Sequence, residues 1–190
     1  INVPLLPTGP DMDMVEKLVA EDPAIKGIWC VPKYSNPTGV SYSDETVRRF
    51  AHLKPAAKDF RIFWDNAYSI HHLYDDKRDV ILELLNECIK AGNPDMVFKF
   101  ISTSKVSFPG SGIAALAASR ANIEDAKSFM KFQTIGHDKL NQLRHVRFFK
   151  DMPGMYEHMR KHAAILRPKF EKVEDVLEKE IGGLGIGTWT

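Results

Sequence analysis

The feature of this sequence that most constrains its fold is a series of short apolar runs separated by segments with helical periodicity. Buried parallel strands are typically continuous apolar runs of about four to eight residues bounded by turn residues. Strands that alternate with amphipathic helices are typical of α/β domains. The sequence therefore predicts an α/β fold with a mainly parallel sheet flanked by helices, and it places strands in residues 26–31, 60–65, 96–101 and 113–118.

The segments between and after these runs predict six helices, several of them preceded by a residue that commonly caps a helix N-terminus. Their predicted ranges are 12–20, 44–54, 75–91, 123–135, 139–150 and 155–180. Asn122 is predicted to cap the fourth helix. Pro153 and Gly154 are predicted to form a turn before the sixth helix, and Pro168 is predicted to kink it.

Composition and charge exclude several classes of function. The 26 basic and 25 acidic residues give a formal net charge of +1, so nothing predicts nucleic acid or an anionic membrane surface as a partner. No apolar run is long enough to span a bilayer. Cys30 and Cys88 lack metal-ligand or C-x-x-C spacing, which predicts buried free thiols in a reducing, cytoplasmic compartment and no metal site.

Polar side chains follow three of the predicted strands at the point where each strand ends. Asn36 follows the first strand, Asp65 and Tyr68 follow the second, and Lys105 follows the third. Because ligands of parallel α/β sheets bind at the carboxyl ends of the strands, these residues are candidates for one site.

The segment around Lys105 suggests a particular cofactor. A partly buried lysine amine is a candidate nucleophile, and the hydroxyls of Ser102 and Ser104 together with backbone N–H groups can bind a phosphate. A glycine-rich turn ending at Gly112 keeps bulk away from whatever binds there. A lysine able to form a Schiff base beside a phosphate site suggests pyridoxal 5'-phosphate (PLP).

Taken singly, each of these residues has a simpler interpretation. Asn36 is consistent with an ordinary turn residue before proline, and Asp65 with a helix cap or turn former. Tyr68 is consistent with a core residue whose hydroxyl is satisfied, and Lys105 with an exposed loop lysine. A short motif matches by chance often enough that only the ordered set has weight.

The ordered set Asn36-Pro-Thr-Gly39, Asp65-x-Ala-Tyr68 and Ser102-x-Ser-Lys105 resembles the PLP-dependent aminotransferases of the aspartate aminotransferase fold, fold type I. The resemblance covers nearly the whole chain. Within that superfamily the segments 9–16 and 105–112 look most similar to bacterial aspartate aminotransferases related to the MocR group.

The resemblance implies catalytic roles for three residues. Lys105 would hold PLP as a Schiff base and, once freed by substrate, would move a proton between the substrate α-carbon and the cofactor C4′. Asp65 would keep the ring nitrogen protonated, so that the ring accepts electrons from the substrate. Tyr68 would donate a hydrogen bond to the phenolic oxygen of the cofactor.

The resemblance also implies binding roles, with one departure from the family pattern. Asn36 would bind the same phenolic oxygen and lie near the substrate carboxylate, while Ser102 and Ser104 would bind the phosphate. Related enzymes place an arginine shortly after the lysine to pair with the phosphate, and Gly112 stands at that position here.

For the whole protein, the resemblance implies transfer of an amino group from an amino acid, with aspartate expected, to a 2-oxo acid in a homodimer. Residues 1–152 would be a segment of the PLP-binding large domain, and residues 153–190 a long interdomain helix leading to a small domain. The chain is expected to be an internal segment of a longer enzyme. Two alternatives remain open: a PLP-dependent lyase or decarboxylase of the same fold, and a PLP-binding domain of a regulator.

Overall fold

The computed structural model describes residues 1–187 and 189. Its strands are β1 (Leu5–Leu6), β2 (Gly9–Pro10), β3 (Gly27–Cys30), β4 (Arg61–Asp65), β5 (Val97–Ser102) and β6 (Ala114–Ala118). Its α-helices are α1 (Met12–Glu21), α2 (Asp44–Ala51), α3 (Leu84–Lys90), α4 (Arg120–Gln133), α5 (Lys139–Phe149) and α6 (Met152–Ile181). One 3-10 turn, Pro94–Met96, precedes β5.

The main sheet has the strand order β3-β4-β5-β6. Strands β3, β4 and β5 are parallel, and β6 runs antiparallel to β5, with Ser102 paired to Ala114. Strands β1 and β2 form a separate two-stranded antiparallel ladder. The predicted α/β fold with a mainly parallel sheet and flanking helices is therefore confirmed. Each of the four predicted main strands forms, three of them shorter than predicted and β5 shifted by one residue.

One face of the sheet is buried against helices. Ile62, Trp64 and Val97 point to this face and are at most 2% exposed. The Trp64 ring meets Phe50 of α2 edge-on, with the ring centroids 5.7 Å apart. Burying aromatic side chains of this size is the main contribution that such a core makes to stability, so this face holds the sheet and helices together.

The opposite face of the sheet carries a row of aromatic rings, which we call the aromatic face: Trp29, Phe63, Phe98 and Phe100. Trp29, Phe63 and Phe98 occupy matching positions on three neighbouring strands. The Trp29 and Phe63 rings stack with centroids 5.6 Å apart and planes inclined by 9°. Because side chains alternate along a strand, every second residue of β4 and β5 belongs to this face.

Helices α1 and α2 form where their caps predict. Asp11 accepts a hydrogen bond from the backbone N–H of Met14, and Ser43 accepts one from that of Thr46. Each cap satisfies a donor that the first helical turn leaves without a partner. Arg49 of α2 then donates two hydrogen bonds to the carboxylate of Glu16 in α1, at 2.7 and 2.8 Å.

The prediction of a helix over residues 75–91 is wrong, because α3 begins only at Leu84. Glu83 caps it by accepting a hydrogen bond from the backbone N–H of Asn86 at 2.7 Å, and it also pairs with Lys99 of β5. Burial acts to raise the pKa of the Glu83 carboxyl, yet these hydrogen bonds hold it below its usual value. A tertiary contact with the sheet thus fixes the start of α3. Val80, which lies inside the predicted helix, is 84% exposed.

Two other predicted helix starts are also wrong. Helix α4 is capped by Ser119, while Asn122 is buried and donates from its side chain to the Asp95 carbonyl at 2.8 Å. Helix α6 begins at Met152 after an Asp151 cap, so Pro153 and Gly154 lie in its first turn rather than in a loop. Proline is tolerated there because the first-turn N–H groups have no intrahelical acceptor.

The chain groups into two compact units: residues 1–69 with 79–143, and residues 70–78 with 144–190. In the second unit Arg167 of α6 donates from Nε to the Leu73 carbonyl at 2.8 Å, and the Tyr74 hydroxyl donates to Glu171 at 3.1 Å. These contacts attach the short segment to α6. The division at residue 152 remains a prediction about the domains of the full-length protein.

Helix α6 is 30 residues long and includes Pro168. A membrane-spanning helix needs about 20 consecutive apolar residues, whereas α6 carries charged side chains along its length. No helix in the described part of the chain combines the length and the hydropathy needed to cross a membrane.

Cys30 and Cys88 are expected to react very slowly with thiol reagents in the native protein. Cys30 is 2% exposed and Cys88 is 0% exposed, and burial raises the pKa of both thiols to about 12. The thiolate is the reactive form, so neutral pH leaves little of it. Alkylation by iodoacetamide followed by peptide mapping should modify both cysteines only after unfolding, and rapid labelling of either one in the native state would contradict this.

Candidate active site

Lys105 and Tyr68, two of the predicted catalytic residues, are in direct side-chain contact. The Nζ atom of Lys105 donates a hydrogen bond to the Tyr68 hydroxyl at 2.8 Å and lies 4.1 Å from the centroid of the Tyr68 ring. The two residues follow the adjacent parallel strands β5 and β4. The carboxyl ends of neighbouring strands thus bring an amine and a phenol together, as the sequence predicts.

Residues 103–113, which we call the lysine loop, connect β5 to the antiparallel strand β6. The loop is closed at its base, where the Thr103 N–H donates to the Ile113 carbonyl and the Ile113 N–H donates to the Thr103 hydroxyl, each at 2.9 Å. The Val106 N–H donates to the Thr103 carbonyl, also at 2.9 Å, and the Val106 side chain is buried. Lys105 therefore stands on a loop whose backbone is held on both sides of it. Its side chain is exposed, so the predicted partial burial of the amine is wrong.

Asp65 is the last residue of β4 and is half-buried. It is in register with Phe100 of β5, so the two side chains belong to the aromatic face. Ser102 lies two residues after Phe100 and belongs to the same face. The next N–H, that of Asn66, donates to the Phe100 carbonyl at 2.9 Å, which extends the pairing of the strands beyond Asp65.

Ser102, Ser104 and Gly112 lie together at the base of the lysine loop. The Ser104 N–H donates to the Ser102 hydroxyl at 3.3 Å. A Cβ atom added at Gly112 would lie 3.1 Å from both the backbone nitrogen and the hydroxyl of Ser104. A side chain at position 112 would therefore require Ser104 to shift by a few tenths of an ångström.

Asn36 lies on the turn that follows β3. The Gly39 N–H donates to the Ser35 carbonyl at 2.6 Å, and the Ser35 N–H donates to the Val40 carbonyl at 2.9 Å. The Asn36–Pro37 peptide bond is cis, and Asn36 is exposed. The backbone thus places Asn36 on the exposed turn after β3. This position is what supports its place in the site, whereas Lys105 and Tyr68 are in direct contact through a hydrogen bond.

Two buried polar residues near these positions were not predicted. Lys33 is 8% exposed and donates to the carbonyl of Ser69, the residue after Tyr68, at 3.1 Å. Asn141 is 9% exposed and donates to two carbonyls of the lysine loop. A loop lysine and a helix asparagine are usually exposed, so nothing in the local sequence marks either one.

His158 and His162 form a pair that the prediction of no metal site overlooked. They are four residues apart on α6, and their ring centroids are 4.4 Å apart. Burial and the neighbouring His158 lower the pKa of His162. Within residues 1–187 and 189, no group of three or more metal-binding side chains comes together.

The fold can be compared with that of solved proteins of known class. The structure of an α-aminoadipate aminotransferase from Thermus thermophilus, complexed with N-(5'-phosphopyridoxyl)-L-leucine, superposes with a TM-score of 0.76 at 21% identity. The match covers 95% of this chain and 44% of that one. The chain therefore has the α/β fold found in this class of aminotransferase.

Closer similarity is found at the level of sequence. The family model described as aspartate aminotransferase matches residues 1–190, and the chain belongs to the aspartate aminotransferase family. A Mycolicibacterium smegmatis protein, provisionally named an aminotransferase, is 46% identical over 190 residues. The crystal structure of an aspartate transaminase from Corynebacterium glutamicum superposes with a TM-score of 0.95 at 40% identity, covering 100% of this chain and 44% of that one.

These matches confirm the predicted family, and they also bear on the length of the chain. The chain spans about half the length of the curated relatives that it matches, 44% in each case. The closer likeness to enzymes related to the MocR group stays a prediction.

Proposed function

We propose that this chain forms part of the PLP-binding domain of an aminotransferase that moves the amino group of an amino acid to a 2-oxo acid. The observation that carries the proposal is the hydrogen bond between Lys105 Nζ and the Tyr68 hydroxyl at the carboxyl ends of two parallel strands. Membership of the aspartate aminotransferase family and the phosphopyridoxyl group bound by the Thermus thermophilus structure support it.

The residues present fit PLP in their chemistry. Lys105 offers an exposed amine, and the hydroxyls of Ser102 and Ser104 lie at the base of its loop. Gly112 leaves open the space beside Ser104 that a Cβ atom would fill. Asp65 offers a carboxylate on the aromatic face, whose flat rings suit a flat heteroaromatic ligand.

When bound, PLP would supply a protonated ring that accepts the electrons released when the substrate α-carbon loses its proton. Lys105 would hold the cofactor covalently through its amine. As a general base and then a general acid, the same amine would take the proton from the substrate α-carbon and return it at C4′. Asp65 would keep the ring nitrogen protonated by placing a negative charge beside it.

Tyr68 would have two successive hydrogen-bonding roles. In the described structure its hydroxyl accepts the hydrogen bond from Lys105 and orients the amine. With Lys105 committed to the cofactor, the hydroxyl would be able to donate to the phenolic oxygen. Asn36 would bind that same oxygen and lie near the substrate carboxylate, while Ser102 and Ser104 would hold the phosphate through charge-assisted hydrogen bonds.

We further propose that aspartate is the preferred donor and that the full-length protein works as a cytoplasmic homodimer. The donor assignment is supported by the likeness to a Corynebacterium glutamicum aspartate transaminase and by the segments that resemble enzymes related to the MocR group. Light scattering on the full-length protein should give twice the subunit mass, and a monomer would contradict the dimer.

Product analysis with aspartate and 2-oxoglutarate tests the reaction type. The full-length protein loaded with PLP is expected to form glutamate and oxaloacetate in equal amounts, which chromatography of the amino acids would measure. Release of carbon dioxide or ammonia without glutamate would instead favour a lyase or decarboxylase. PLP binding without any turnover of amino acids would favour a regulator domain.

A further inference from the structure

Asn141, in the first turn of α5, ties that helix to the lysine loop. Its backbone N–H donates to the Asp138 carboxylate at 2.9 Å, which fixes the start of the helix. Its side-chain amide donates from Nδ2 to the Ser111 carbonyl at 2.7 Å and to the Gly112 carbonyl at 3.1 Å. One buried amide thus holds two consecutive carbonyls of the loop.

The part of the loop that Asn141 holds is the part with the most backbone freedom. Glycine residues stand at positions 110 and 112, and Gly110 has a φ of +79°, which other residues rarely adopt. The hydrogen bonds between Thr103 and Ile113 fix only the base of the loop. A glycine-rich backbone has more conformations to lose on ordering than any other. The contact from Asn141 therefore adds to the backbone hydrogen bond within this turn, from the Ser111 N–H to the Phe108 carbonyl at 3.2 Å.

The position of Gly112 bears directly on the proposed phosphate site. The space beside Gly112 is bounded by the backbone and hydroxyl of Ser104, at 3.1 Å from the position of a Cβ atom. Ser104 directly precedes Lys105. A displacement of the Gly112 backbone would therefore change the space available to a phosphate next to the lysine.

We propose that Asn141 is a positioning residue that holds the Ser111–Gly112 backbone beside Ser104 and thereby sets the affinity of the site for PLP. The proposal rests on the proposed function, because it concerns the phosphate contacts of that site. Position 112 carries glycine where the family pattern has arginine, so the phosphate contacts proposed for this segment are hydroxyls and backbone N–H groups whose positions must be held. Removal of the Asn141 amide would take this donor from two partly buried carbonyls, a change that commonly weakens the state that depends on them.

The test uses Asn141→Ala and Asn141→Asp in the full-length protein, with Asn122→Ala as the matched control. Asn122 is also a buried first-turn asparagine, 5% exposed, but it donates to the Asp95 carbonyl before β5. Asn141→Asp keeps the size of the side chain and replaces its donor with an acceptor. The dissociation constant of PLP, measured by absorbance, should rise by about tenfold or more in both Asn141 variants and by less than about threefold in Asn122→Ala.

Hydrogen exchange in the cofactor-free proteins provides a second readout. Amides of residues 104–113 should exchange faster in both Asn141 variants than in the parent and in Asn122→Ala. Equal PLP affinity in the Asn141 variants and the parent would overturn the inference, and so would unchanged exchange in this segment. If the parent itself bound no PLP, the proposed function would be wrong, while the exchange data would still decide whether Asn141 orders the loop.

Discussion

Replacement of Lys105 with alanine is expected to abolish transamination by the full-length protein. Lys105 is the amine proposed to hold the cofactor and to move the proton between the α-carbon and C4′. General acid–base catalysis alone contributes about 10²–10⁴-fold, so the rate of glutamate formation should fall by at least that factor. Lys105 is exposed on its loop, so the variant should fold as the parent does, and circular dichroism would check this.

Borohydride reduction identifies the lysine that carries the cofactor. The PLP-loaded parent should lose its visible absorbance on reduction, and peptide mapping should find the pyridoxyl group on Lys105. Lys105→Ala should still bind some PLP without a covalent link. Lys33 provides an internal control for the labelling of Lys105, because it is a second lysine near the site and is buried. Label on Lys33, or activity retained in Lys105→Ala, would contradict the assignment.

Replacement of Asp65 with alanine is expected to reduce turnover by about 10²–10³-fold, the cost typical of removing one preorganised electrostatic partner of the reacting group. Asn36→Ala should reduce turnover by only about tenfold, because it removes a hydrogen bond rather than a charge. Steady-state rates with aspartate and 2-oxoglutarate would show the difference. An Asp65→Ala protein as active as the parent would remove Asp65 from the mechanism.

A carboxylate at the other end of the same strand provides the control for Asp65. Asp59 precedes β4 and forms an exposed ion pair with Lys26 at 2.7 Å. Exposed ion pairs contribute little to stability, so Asp59→Ala should fold and keep the turnover of the parent. A loss of turnover in Asp59→Ala similar to that in Asp65→Ala would mean that Asp65 acts through the stability of β4 rather than on the cofactor.

The main strands could be predicted from the sequence because each is an apolar run with turn residues near its ends. Helix starts were predicted less well, because they depend on contacts distant in sequence. Glu83 caps α3 while pairing with Lys99, and Asn122 is buried under the Asp95 carbonyl instead of capping α4. The local sequence pattern around each helix start gives no sign of either contact.

The candidate site likewise has a part that the sequence predicts and a part that it does not. Asp65 ends a strand and Lys105 and Tyr68 follow strands, and the topology of a parallel sheet brings such residues to one edge. The antiparallel direction of β6 and the role of Asn141 depend on how the chain returns after Gly112. No spacing or composition in the sequence marks an asparagine 30 residues after Ser111 as the donor of hydrogen bonds to the lysine loop.

The antiparallel return of β6 has a consequence for how the protein would lose its cofactor. Lys105 lies in the loop of the hairpin formed by β5 and β6. Backbone pairing joins the two strands from the pair Phe98 and Ala118 to the pair Ser102 and Ala114. If β5 and β6 separated, the Lys105 amine and the serine hydroxyls would no longer lie together, while the core around Trp64 would stay packed. Release of the coenzyme on heating would then precede unfolding of the domain. The first transition would report on the β5–β6 hairpin and the second on the core around Trp64.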